Sequence, residues 1–133
     1  MTIQNMRTGL ANNLSTISGL RTSVDVPDQI NVPMAVISLT SITYDQAFAG
    51  GMTEYNFTVT AFVGRASERT AQRKLDGYAF TDANGFKEAI ESDRTLNGSA
   101  FDCRVTDMSN VSAVSLGEVE YLTCDFRVTV IAN

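Results

Sequence analysis

Residues 53–65 read TEYNFTVTAFVGR, and their period decides the fold. Taken alternately, Tyr55, Phe57, Val59, Ala61 and Val63 fall on one side and Glu54, Asn56, Thr58 and Thr60 on the other. That alternation, rich in β-branched and aromatic residues, describes a half-buried strand. At Gly64 the strand pattern stops, and SERTAQRKLDGY at 67–78 follows with helical spacing. A strand this long, with strand candidates before and after it, is expected near the middle of a sheet.

Upstream, Ile3, Met6, Leu10, Leu14 and Ile17 recur every three or four residues, which predicts an amphipathic helix over 2–18. Thr2 fits its N-cap, and Gly19 fits the left-handed position past its end, letting Leu20 fold back. Gly9 inside this helix costs about 1 kcal/mol against Ala and can mark close packing on another backbone. A short edge strand is expected over 21–26, broken by Pro27. MAVISLTSI at 34–42 is nearly continuous in apolar character, as in a strand covered on both faces. The stretch from Tyr44 to Met52, with Gly50–Gly51, reads as a long hairpin loop into the opening strand.

Downstream, Ser67 is the expected cap of a helix that buries Ala71, Leu75, Tyr78 and Ala79 and turns Arg69, Arg73 and Asp76 outward. Phe86, Ala89 and Ile90 give a shorter helix ending near Asp93, and Asn97–Gly98 signals a turn. Phe101, Cys103 and Val105 are expected inward on the next strand. Leu122, Cys124, Phe126, Val128 and Val130 are expected inward on the last. Between them, SNVSAVSLG at 109–117 admits two turns. One at Ala113–Val114 would oppose Cys103 and Cys124; one at Leu116–Gly117, which the glycine favours, would separate them. The order of elements predicts a single α+β domain over 1–133. Its sheet is mainly antiparallel, with four to five strands packed against two to three helices.

The totals agree with an ordinary soluble domain. The chain has 133 residues, 44% of them hydrophobic and 19% charged, enough to bury roughly two-thirds of its unfolded surface. It has no apolar run near the ~20 residues needed to span a bilayer and no visible signal peptide, so a membrane partner is not expected. A net charge of -5 with scattered Lys and Arg excludes a nucleic-acid binder of the usual kind. The nearest cluster, Arg65, Arg69, Arg73 and Lys74, is interrupted by Glu68 and Asp76 and reads as a solvated helix face.

Chemistry is sparse. There is no histidine, so the commonest general base and the centre of a catalytic triad are missing. Two cysteines without histidine cannot build the usual structural zinc site, and packed, reduced thiols are expected. Glu118 and Glu120 are an ordinary solvent-facing pair, Asp25 and Asp28 ordinary turn residues, and neither phosphate-cradling glycine pattern occurs. No catalytic, cofactor-binding or metal residues are assigned. The feature that does stand out is the loop at 45–52, which sets Phe48 and Met52 among small residues as candidate subunit contacts, the alternative being a lid folded over the core. The helix leaving the strand, with Arg69 and Arg73 outward, is the second candidate contact.

Across the whole chain the order of segments resembles the small tail terminator proteins of long-tailed bacteriophages with non-contractile tails. The resemblance is carried by SGLR at 18–21, PDQINVPMAVI at 27–37, TEYNFTVTAFVGRASERTAQRKLDGY at 53–78, FKEAIESDRTLNG at 86–98 and GEVEYLTCDFRVTVIA at 117–132. It implies a structural virion protein of the tail or neck, assembled in the host cytoplasm. A homo-oligomeric ring, a hexamer, would cap the tail tube, stop its polymerisation and present a surface to the head-side connector. The tube protein, the connector and the neighbouring copies are its implied partners, with DNA passing through unbound. Six copies at -5 each carry -30, and an acidic bore would repel DNA rather than hold it. Other neck components, such as a head–tail adaptor or a tube subunit, share related folds and form the alternative. A small-molecule-binding α+β module is the alternative from a different class.

Overall fold

The computed structural model of the chain describes residues 2–23, 31–44, 52–81 and 85–132. Five strands form one mixed sheet: β1 (Arg21–Ser23), β2 (Met34–Thr43), β3 (Thr53–Arg65), β4 (Asp102–Leu116) and β5 (Val119–Ala132). Their order is β1-β2-β3-β5-β4, parallel between β1 and β2 and antiparallel elsewhere. The opening stretch is therefore the central strand, with the bounds its period predicts. Helices α1 (Ile3–Leu14), α2 (Arg69–Ala79) and α3 (Phe86–Ile90), the last continued by a tight turn over Glu91–Asp93, complete an α+β fold.

One core joins the two layers. Phe57, Val59, Ala61 and Val63 of β3 pack with Cys124, Phe126, Val128 and Val130 of β5 and with Met6, Leu10 and Leu14 of α1. Leu75 of α2 and Phe86 and Ile90 of α3 belong to the same cluster, so all three helices cover one face of the sheet. Each large side chain buried there contributes about 1.5–3 kcal/mol.

α1 begins where Thr2 Oγ1 accepts from the Asn5 amide at 3.0 Å. It ends at Leu14, four residues before the sequence limit. Two tighter turns carry the chain through Ile17 to Gly19, whose φ of 80° is the left-handed position expected. Gly9 does mark a close approach: a Cβ there would stand 2.7 Å from Leu96 Cβ and 3.0 Å from the Leu96 carbonyl. Beside it, Asn13 Nδ2 donates to the carbonyls of Ile90 at 2.8 Å and Asp93 at 2.9 Å. The Ile90 carbonyl is one that the end of α3 leaves without a backbone partner, while the Asp93 carbonyl also accepts from the Leu96 amide at 3.2 Å. The turn after them is shaped by Asp93, whose carboxylate accepts from the Thr95 hydroxyl at 2.7 Å and the Asn97 amide at 3.0 Å.

Several expectations are corrected. β2 is covered on both faces only near its start; from Ser38 onward Leu39 and Ile42 are half-buried while Ser38, Thr40, Ser41 and Thr43 are exposed, since among the described residues no helix covers the sheet face on which Ser38 lies. Ser67 does not cap α2: Glu68 occupies the N-cap, and no side chain bonds to the first turn. Phe101 stands outside β4 and is 51% exposed, since the strand begins at Asp102 after a bend. β1 is described to Ser23, and its expected continuation to 26 lies outside the described residues, as do Asp25 and Asp28. The β4–β5 turn falls at Gly117, with φ of 65°. Cys103 accordingly pairs with Val130 and Cys124 with Ala61, and both thiols are free and buried.

β4 is an outer strand, and its first half is guarded. The Val105 amide donates to Glu91 Oε2 at 2.9 Å and Arg94 Nε donates to the Cys103 carbonyl at 3.3 Å, so two edge groups of the kind that template foreign strands are occupied. Burial favours the neutral form of Glu91. The Lys87 bond at 2.6 Å, the Val105 amide and the Lys87 and Arg94 charges outweigh it, holding the carboxyl below its ordinary 4.5. A depressed folded value stabilises the protein above the unfolded pKa, and this support is lost as pH falls through the folded one. Glu91→Gln should therefore lower the urea midpoint at about pH 7 and flatten the loss of stability toward about pH 3. Equal pH slopes for the two proteins would contradict this role.

Candidate assembly surfaces

Two ends of the sheet carry exposed apolar side chains, and each follows from the register. Thr43 pairs with Glu54, Thr53 with Ala132 and Asp102 with Ile131, so β2 ends where β3 and β4 begin. Tyr44, Met52 and Phe101 each stand one residue beyond those strands and share that end, 69%, 40% and 51% exposed. The Phe101 amide is held by the Ile131 carbonyl at 2.8 Å, which fixes the backbone and leaves the ring outside. Met52 is thus placed on the surface. Phe48 lies outside the described residues.

At the opposite end the β4–β5 hairpin carries Val111, Val114 and Leu116, all exposed. The eight residues from Ser109 to Leu116 contain no charge, and the edge caps from Glu91 and Arg94 stop short of them. A bulge between Ser109 and Ser112, with Asn110 at φ of 56°, bends this half of the strand. The period over 109–117 is ambiguous and admits two turns, so neither the extension of β4 to Leu116 nor its exposure follows from the sequence.

α2 presents the third surface. Ala71 and Leu75 face the core, which turns Arg69, Arg73 and Lys74 to solvent, while Arg65, at the end of β3, is opposed to Tyr121 and projects to the other side of the sheet. Among the described residues none of these four cations forms an ion pair; the three pairs present are Lys87–Glu91, Arg94–Asp102 and Arg127–Asp107. Arg69 and Arg73 stand four apart, a like-charge spacing that mildly destabilises an isolated helix.

Among the described residues no group of three metal-ligating side chains occurs. Burial, with the neighbouring carboxylates, pushes both thiols up to about 12, so neither is a thiolate near neutral pH. Glu118 sits in the hairpin turn and Glu120 on β5, both exposed. Among the described residues, one depression of about 290 Å³ lies over Thr40, Asn56, Arg127 and Thr129. Among the described residues no helix is long and apolar enough to cross a membrane. No family model matches the chain, and no curated protein matches it.

Proposed function

We propose that the chain is a structural virion protein, a tail terminator whose six copies close into a ring on the end of a phage tail tube. The ring stops tube growth and offers its far side to the head-side connector. The observation that carries this reading is the pair of unlike apolar ends, Tyr44, Met52 and Phe101 at one and Val111, Val114 and Leu116 at the other. A head-to-tail contact that closes by rotation needs two different surfaces on each subunit, whereas a two-fold dimer needs one. The segment order that resembles tail terminators points the same way, and the unpaired cations of α2 supply a charged flank in a chain of net charge -5.

The test uses surface variants that leave the core alone. Met52→Asp and the double variant Arg69→Glu/Arg73→Glu should fold within about 0.5 kcal/mol of the parent, because the changed side chains are exposed. Each should nevertheless reduce the number of capped tube ends seen by negative-stain microscopy. Undiminished capping by both would remove the loop and α2 from the interface. Growth of the purified chain into long filaments would instead identify a tube subunit.

A further inference from the structure

The outer row of β4 is closed by side chains rather than by a strand. Cys103 and Val105 stand two apart, so the carbonyl of one and the amide of the other belong to a single row of edge groups. Arg94 Nε donates to that carbonyl at 3.3 Å, and Glu91 Oε2 accepts from that amide at 2.9 Å. Both arms come from the turn after α3, and each is tethered a second time. Lys87 Nζ meets Glu91 Oε2 at 2.6 Å, and Arg94 Nε meets Asp102 Oδ1 at 3.1 Å. Arg94 and Asp102 each keep 45% of their side chains in solvent and Glu91 keeps 19%, so both arms can leave the edge without opening the core.

Beneath the arms the edge suits an added strand. It runs eight residues, Asp102 to Ser109, between the bend at Phe101 and the bulge at Ser109–Ser112, an ordinary strand length. Beside it lies a depression of about 250 Å³ lined by the apolar Ala79, Val105, Met108 and Phe126 together with Lys87 and Asp107, where inward side chains of that strand would fit. Arg104 opposes Thr129 and Asp107 opposes Arg127, so both project to the face away from the helices. Cys103 and Met108, opposed to Val130 and Phe126, project to the helix side. A second β4 running antiparallel can therefore set its Arg104 against Asp107 and its Cys103 against Met108. Both faces then match, and opposite charges meet twice by symmetry. Among the described residues Arg104 has no ion pair of its own.

We propose that the β4 edge from Asp102 to Ser109 is a docking surface for β4 of a second copy of this chain, and that Glu91 and Arg94 form a latch holding it shut. An unpaired edge pairs with any strand it meets unless side chains block it. The added strand needs the Val105 amide and the Cys103 carbonyl that the latch occupies, so the closed and the paired states exclude one another. The contact is two-fold and uses one surface on each copy. It is separate from the head-to-tail contact of the ring and does not depend on it.

The double variant Glu91→Ala/Arg94→Ala opens the latch. It is read in solution by size-exclusion chromatography with light scattering, with far-UV circular dichroism checking the fold. It should run at twice the parent's mass. Adding Arg104→Asp, a change at an exposed position, should return it to the parent's mass, since like charges opposed across two strands destabilise the pair. A folded double variant that keeps the parent's mass overturns the proposal. A doubled mass that Arg104→Asp leaves in place overturns it too, because the copies are then joined elsewhere. If the double variant does not fold, Glu91→Ala and Arg94→Ala, each with one arm removed, are read singly at raised concentration, and an unchanged mass in both is the overturning result. No arm of the experiment uses tail tubes, so the ring reading and this one fail separately.

Discussion

Phe86→Ala is expected to cost about 3–5 kcal/mol of folding stability, among the largest losses a single side chain can cause here. Phe86 is fully buried and stacks on Phe126 with ring centroids 4.6 Å apart, and Tyr78 of α2 packs against its other side at 5.0 Å. It therefore ties α3 to α2 and to the sheet. α3 has only five residues, far below the length at which a helix holds itself, so packing alone keeps it in place. Its release would also withdraw Glu91 and Arg94 from the edge of β4. Urea denaturation of parent and variant checks the loss, and Phe86→Leu should fall well below it. A loss under about 1 kcal/mol would mean that the core closes over the gap.

The second large effect is expected at Asn13. Replacing it by Ala strips the donor from two carbonyls, those of Ile90 and Asp93, at a site where Asn13 itself is buried. The Asp93 carbonyl keeps the Leu96 amide at 3.2 Å and the Ile90 carbonyl keeps only the Cys103 thiol at 3.7 Å, so the expected total is about 1–3 kcal/mol, the cost of one poorly satisfied buried acceptor. Hydrogen exchange gives the sharper readout, since protection should fall in α3 and in the 94–100 turn before it falls in β3. A variant within about 0.5 kcal/mol of the parent would show that water replaces the amide there.

Period alone located the central strand and its helix because both are long and strongly patterned. β3 alternates over Tyr55 to Val63, and α2 repeats Ala71, Leu75 and Tyr78. Where period was weak, local chemistry decided, and the sequence did not show it. Ser67 looked like a cap, yet the chain leaves β3 through a turn that puts Glu68 there. Phe101 looked inward because it continued the alternation of Cys103 and Val105, yet the strand starts one residue later. The long-range devices were hidden for a different reason. The bonds of Asn13 to Ile90 and Asp93 span 77 and 80 residues, and nothing near Asn13 in sequence announces them. The same holds for Glu91 on the Val105 amide. Of the candidate contacts, Met52 could be named from its loop. Tyr44 and Phe101 became partners to it only once the register brought three strand ends together.

The ring reading stands or falls on the end of the tail tube. Tube subunits polymerising in the presence of the purified chain should stop elongating, and electron microscopy should show one ring of this protein at each arrested end. Tubes that grow to the same lengths with and without the chain, their ends bare, would contradict the account.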